Sequence, residues 1–362
     1  MHKFVRFCLL LCTSSLAFAQ PVLHLYHLRG TLPEATIHRF EQSCDCRVVQ
    51  NYFNDHDDLA ARLGSTAADA DVVFTPSFSV PALLRRKLLQ PINRELVPHL
   101  SNLRPILTSP SYDPGNQFSV PMSLSLTVVG YNINKLRQLE VDPYSWSVIF
   151  DPRVLSKLRG HVMVLDRPRS VFAAALMYLG LDPNSNNEAD YLRARDLIAG
   201  VRPYWVSPVT DHGVRGLAAG DLWVVLGTST DFFLAREAAQ REHRPYTIGY
   251  VLQREGNQLS ITSMTVPAAA PHPELAMRFI NFMLAGKNAA DMSNQFGATN
   301  PVGSAVPYFR EELKFHPVIN PDNGALRKWV VLREMNPRLQ KLINQMWSDL
   351  HLNNPVRSHT GR

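Results

Sequence analysis

The stretch "FSVPMSLSLTVVGYN", Phe118 to Asn132, is long for a strand, which ordinarily runs about five or six residues. Ser123 and Ser125 stand at alternate positions within it, so both hydroxyls share one face of the extended chain. A β-segment of this length can pass from one lobe of a protein into another. A second long extended run, "QLSITSMTVP", spans Gln258 to Pro267. Two such segments lying between two α/β regions predict a pair of hinged lobes with a cleft between them, the first lobe being assembled from discontinuous pieces.

The flanking regions alternate strand and helix patterns. Before Phe118 come the strand "VLHLYHL", an amphipathic run from Pro33 to Gln42, the strand "CRVVQNYF", a helix opening at the acidic stretch Asn54 to Asp58, the buried strand "ADVVFTP", and the helix "SVPALLRRKLL" with Ser79 as N-cap and Pro81 in its first turn. After Asn132 come the strand "HVMVLD", the helices "SVFAAALMYLGL" and "ADYLRARDLIAGV", the strand "LWVVLGT" and the helix "DFFLAREAAQRE". This order predicts a mostly parallel sheet with helices on both faces. In such folds ligands sit beyond the carboxyl ends of strands, near helix N-termini. The first strand breaks at Arg29-Gly30, and Thr31 followed three residues later by Glu34 reads as a capping box, so the corner His27 to Gly30 is expected at the mouth of the cleft. The expected lobes are 20–126 with 262–308, and 127–261 with 309–362.

The N-terminus reads "MHKFVRFCLLLCTSSLAFA": two cations, a short apolar core and small residues before Gln20, the pattern of a cleavable signal peptide, so the product is expected to be exported. The leucines before Cys12 lack the small residue that precedes a lipidated cysteine. Removal of this segment takes two of the four cysteines, leaving Cys44 and Cys46, and lowers the formal charge from +6 to about +4. A Cys-x-Cys pair in an oxidising compartment can close a small disulfide or remain as two thiols. The mild basic excess has no Lys/Arg cluster interleaved with aromatics, so no nucleic-acid partner is expected.

Motifs for chemistry are missing. The sequence has no phosphate-cradling Gly-rich loop, no Gly-x-Ser-x-Gly elbow and no His-Glu-x-x-His helix. His24 and His27 point to opposite faces of a strand, and "NDHDD" lacks the spacing and distal glutamate of a calcium loop. No cofactor, metal or catalytic activity is expected.

Across nearly the whole mature length the chain resembles the periplasmic polyamine-binding proteins of ABC importers, especially their putrescine-binding branch. The stretches that carry the resemblance are "LHLYHL", "ADVVFTPS", "LLQPIN", "FSVPMSLSLTVVGYN", "YSWSVIFDP", "VLDRPRSVF", "YLGLDPNS", "LAAGDLWVVLGTSTD" and "MRFINFMLAG", in family order and spacing. It implies a hinged two-lobe fold of the second periplasmic binding-protein type, a monomer closing over a small solute and delivering it to an inner-membrane permease.

The resemblance also implies where the ligand site lies, and there this chain departs from the pattern. At the first corner the family's tryptophan falls on Leu28, its tyrosine on Thr31 and the acid of putrescine binders on Gly30, with Arg29 between. Ser77 closes the "ADVVFTPS" match. The acid before Val-Phe in the second lobe falls on Ser170, with Arg167 and Arg169 before it. A Trp-x-Gly-Asp turn becomes Thr228-Ser229-Thr230-Asp231, keeping only the acid. On the second crossover an aromatic and an aspartate become Ser260 and Thr262, and a tyrosine falls on Gly297 or Ala298. With Ser125, these positions make a polar, arginine-containing site, suited to an anionic or zwitterionic solute. The alternatives are a true putrescine or spermidine binder using Asp231, and a periplasmic sensor subunit for a membrane receptor.

Overall fold

In the computed structural model, which describes residues 20–53, 59–63, 69–206 and 212–352, Phe118–Asn132 is a strand shared between two sheets. The nine strands among the described residues are β1 (Val22–Leu28), β2 (Arg47–Phe53), β3 (Val72–Pro76), β4 (Ser119–Asn132), β5 (Val162–Val164), β6 (Val224–Thr228), β7 (Ile248–Val251), β8 (Gln258–Thr265) and β9 (Val330–Val331). The first half of β4, Ser119 to Leu126, pairs with β8, and its second half, Thr127 to Asn132, pairs with β6 on one side and β7 on the other. The order β2-β1-β3-β8-β4-β6-β5 therefore contains two sheet portions joined through one strand.

The two-lobe fold agrees with the sequence reading, but the mostly parallel sheet does not. Pairs β1–β2, β1–β3, β5–β6 and β8–β9 are parallel, whereas β3–β8, β4–β8, β4–β6 and β4–β7 are antiparallel. The crossover strand β4 runs antiparallel to all three of its neighbours. The return itself differs from expectation: β8 pairs only within the first portion, and the crossing lies in the connection from β7 to β8. A third passage follows β9, after which the helix Pro337–Leu352 packs Leu339, Ile343, Met346 and Trp347 into the core of the second lobe. Residues 309–326 stay with the first-lobe residues: Arg104 donates to the carbonyl of Pro321 and to Asn320, and Thr299 donates to the carbonyl of Val318.

Local details correct two further expectations, while Ser79 takes the N-cap position read for it. The helix Glu34–Cys44 has Pro33 at its N-cap and no side-chain cap; Thr31 Oγ1 instead donates 2.7 Å to the carbonyl of Leu28, and Glu34 accepts from Gln50 Nε2, so no capping box forms. Ser79 holds the N-cap position of the helix Val80–Arg85 without a capping hydrogen bond. That helix stops earlier than its apolar pattern suggests, since Lys87 takes φ 56° and Leu89 bridges to Pro267. Cys44 and Cys46 are joined as a disulfide. The signal-peptide and Asn54–Asp58 readings lie outside the described residues.

The helix Ser229–Arg241 is seated closely on the second portion by one ring. Phe232, fully buried, lies over Gly130 of β4 and Gly227 of β6, where an added Cβ would come within 2.2 and 2.6 Å of its atoms. Glycine at both positions lets the helix approach the sheet, which fixes where its first turn meets β4. Gly130→Ala is expected to cost about 1–3 kcal/mol through overpacking, read as a lowered denaturant midpoint with unchanged m-value.

His316 stacks on Tyr250 with ring centroids 5.2 Å apart, and its Nδ1 accepts from the backbone N–H of Val318. Burial, with help from the neighbouring Arg236, pushes its pKa down to about 4. A histidine whose folded pKa is depressed lends stability that is complete above its unfolded value and is lost as pH falls toward the folded one. Stability should therefore drop between about pH 6.5 and pH 4, by about 2 kcal/mol from this group after discounting for its partial solvent contact. Urea titrations at pH 7.5 and pH 4.5 test this: His316→Gln should lose distinctly less than the parent, and equal losses would contradict the assignment.

Candidate ligand-binding site

The site is built outward from the junction of the two sheet portions. Ser125 of β4 stands opposite Ser260 of β8, and Ser123 opposite Thr262, so four hydroxyl residues lie on one face of paired strands. Leu124, Leu126, Leu259 and Ile261 fill the other face and are buried. The period of two does this sorting: each polar residue alternates with an apolar one that the core absorbs. A register irregularity between Pro121 and Ser123 marks where the paired strands bend.

The second lobe meets this floor at the start of the helix Ser229–Arg241. Thr228 caps it, its Oγ1 accepting from the backbone N–H of Asp231 at 3.3 Å. Ser229 is buried and accepts from the backbone N–H of Leu126 at 3.1 Å, while Ser125 Oγ lies 3.4 Å from the hydroxyls of both Ser229 and Thr230. The structure thus sets the Ser125–Ser260 and Ser123–Thr262 pairs beside the helix start that holds Thr228 and Asp231. Among the described residues the Asp231 carboxylate makes no side-chain hydrogen bond or ion pair; it occupies the first turn of its helix, where a carboxylate also suits the helix dipole.

The helix Pro168–Tyr178 lies against β8 and supplies the arginine that matters. Arg169 places its guanidinium carbon 5.6 Å from the centre of the Phe78 ring, which belongs to the first lobe. Arg169 Nε is buried with no hydrogen-bond partner, and burial holds the guanidinium below its usual pKa, with Tyr191 and Glu334 opposing that shift. Arg167, by contrast, is exposed at the N-cap position, and Ser170 shares the first turn with Arg169. Glu334, which comes from the chain between β9 and the last helix, is hydrogen-bonded at 2.7 Å to Arg85; that contact chiefly holds its carboxyl below the usual range, with smaller help from Arg169.

The first-lobe wall carries Ser77, buried immediately after β3, whose Pro76 is opposite Thr262. At the corner after β1, Arg29 stacks 4.1 Å from the centre of the Tyr52 ring. Leu28 contributes its carbonyl, which accepts from Thr31 Oγ1 and His27 Nδ1, so the Thr31 hydroxyl is engaged inside the corner. His27 is buried edge-on to Tyr52 and Phe74, and burial lowers its pKa, which keeps it neutral near pH 7. At the far end, Gly297 has φ 64° and would place a Cβ 2.2 Å from Phe233, so no side chain can replace the tyrosine there. Tyr52, Phe78 and Glu334 were missed in the sequence reading; Phe78 adjoins a quoted match, but Glu334 is brought in only by the third chain passage.

Residues 35–313 match the pattern of the bacterial extracellular solute-binding protein family. Over 352 residues the chain is 34% identical to a putrescine/cadaverine-binding protein of Pseudomonas aeruginosa, covering 97% of this chain and 99% of that one. It is 28% identical over 341 residues to a putrescine-binding periplasmic protein of Escherichia coli, covering 92% of each. Among solved structures, a putative spermidine/putrescine ABC transporter protein of Listeria monocytogenes superposes with a TM-score of 0.80 at 22% identity, covering 92% of this chain and all of that one. A floor of hydroxyls between two lobes joined by a shared strand, together with these similarities, places the chain in a family: it belongs to the bacterial extracellular solute-binding proteins.

Proposed function

We propose that this protein is the periplasmic solute-binding component of a polyamine-type ABC importer, working as a monomer without cofactor or turnover, whose cleft takes a small polar solute bearing an anionic group. The lobes close about β4 and the two other chain passages and present the loaded form to an inner-membrane permease. In this reading 20–126 and 258–329 move as one lobe, and 127–251 with the final helix as the other, the chain crossing between them at 252–257.

The observation that carries the solute class is Arg169: a guanidinium from one lobe lies over an aromatic ring of the other, with a buried N–H left unsatisfied. A carboxylate or phosphate entering beside it would satisfy that donor with a charge-assisted hydrogen bond. A diamine would instead meet Arg29 and Arg169 with Asp231 and Glu334 as the nearby acids, and Glu334 is already bonded to Arg85. Each ammonium left without a counter-charge in a closed cleft costs several kcal/mol, on the order of a thousand-fold in affinity. The polyamine names of the relatives favour the other reading, in which Asp231 serves a diamine.

A thermal-shift screen of the mature protein against putrescine, spermidine, amino acids, dicarboxylates and phosphonates separates the two. A solute at a hundred times its Kd should stabilise by about 2.7 kcal/mol. The stabilising solute is expected to carry a carboxylate or phosphonate, and Arg169→Ala should weaken it at least tenfold while Asp231→Ala leaves it nearly unchanged. A micromolar putrescine response abolished by Asp231→Ala and indifferent to Arg29→Ala would overturn the anionic assignment and leave the transport role standing. Export is checked independently by N-terminal sequencing of the protein released on osmotic shock: its first residue should be Gln20, and retention of Met1 would refute cleavage.

A further inference from the structure

Behind the cleft floor, on the opposite face of β8, lies a half-open pocket of about 280 Å³. Its interior is apolar: Leu107, Leu259, Ile261, Leu326 and Trp329 are all buried. Its mouth is polar, formed by the exposed residues Ser109, Ser111 and Arg327. Arg327 is the one charged residue in the lining, and among the described residues no ion pair or side-chain hydrogen bond is recorded for it. A concave pocket lined mainly by buried apolar residues, with one cation at its rim, has the form of a small-molecule site.

We propose that this cavity is a second binding site, distinct from the cleft, for an amphiphilic monocarboxylate. Volume sets the size: an apolar cavity of about 150 Å³ accommodates benzene, so by proportion this one accommodates about eleven non-hydrogen atoms. The walls offer contact to a hydrocarbon chain or ring, and the one polar group within them, the Tyr112 hydroxyl, lies 3.5 Å from the hydroxyl of Ser263. The carboxylate stays at the mouth, where the Arg327 guanidinium and the two serine hydroxyls can reach it. Octanoate, with a chain of this size and one anionic end, is the simplest probe.

Calorimetric titration with octanoate, octylamine and octanol tests the proposal, with Trp329 emission as a local reporter. Octanoate should bind saturably and at least tenfold more tightly than octylamine. Arg327→Ala should remove that preference while leaving octanol binding intact, which shows that the variant is folded. Ser111→Phe, at the exposed mouth, should block all three, and Trp329→Phe should abolish the emission change. Arg29→Ala, in the cleft, should leave octanoate binding as it was, so failure of the cleft assignment is read separately. Equal affinities for octanoate and octylamine, octanoate binding that survives Ser111→Phe, loss in Arg29→Ala, or no saturation by octanoate at millimolar concentration would each overturn the proposal.

Discussion

The structure depends on one strand being held by two sheets at once. Every backbone N–H and C=O in a buried strand needs a partner, and β4 finds its partners in β8 along one half and in β6 and β7 along the other. Bending β4 anywhere within either half would break strand pairing, so an opening of the lobes costs least at the place where pairing changes from one sheet to the other. That place is Leu126 and Thr127, beside Ser125 and beneath the first turn of the helix Ser229–Arg241. The proposed site and this axis therefore share the same few residues, so in that reading a ligand touching the hydroxyl floor would bias the arrangement of the lobes.

Around this axis the charges are arranged against aromatic faces. Arg29 rests on Tyr52 and Arg169 on Phe78, each a cation over a π-surface. Aromatic walls of this kind would also suit the methylenes and ammonium groups of a diamine, but here the protein's own guanidiniums lie over them. Arg169 is the more consequential because it reaches across to the other lobe and pays the desolvation of a partly covered cation with no acceptor for its Nε.

Much of this was legible in the chain. The length of Phe118–Asn132 and the alternation of Ser123 and Ser125 gave the shared strand and the direction of its hydroxyls, because side-chain period in an extended chain follows from backbone geometry alone. Asp231 was legible as the start of a helix for the same local reason, whereas Thr228 read as the end of a strand and proves also to be the cap of that helix. The capping box at Thr31 and Glu34 was misleading: the hydroxyl found a nearer acceptor in the Leu28 carbonyl, and Pro33 occupies the N-cap. The parallel sheet was misjudged because strand direction depends on how the chain returns between lobes, which no local pattern records.

Sequence by itself determined the alternation of strands and helices, the long crossover and the residue types available to the site, since these follow from local periodicity and from covalent chemistry. Only the tertiary structure decided that Arg169 rather than Arg167 faces the first lobe, that Glu334 comes back to lie near it, and that Gly297 is filled by Phe233. Those outcomes rest on packing between segments far apart in the chain, where helix phase and the approach of neighbouring surfaces, and not the identity of a residue, select which side chain is buried.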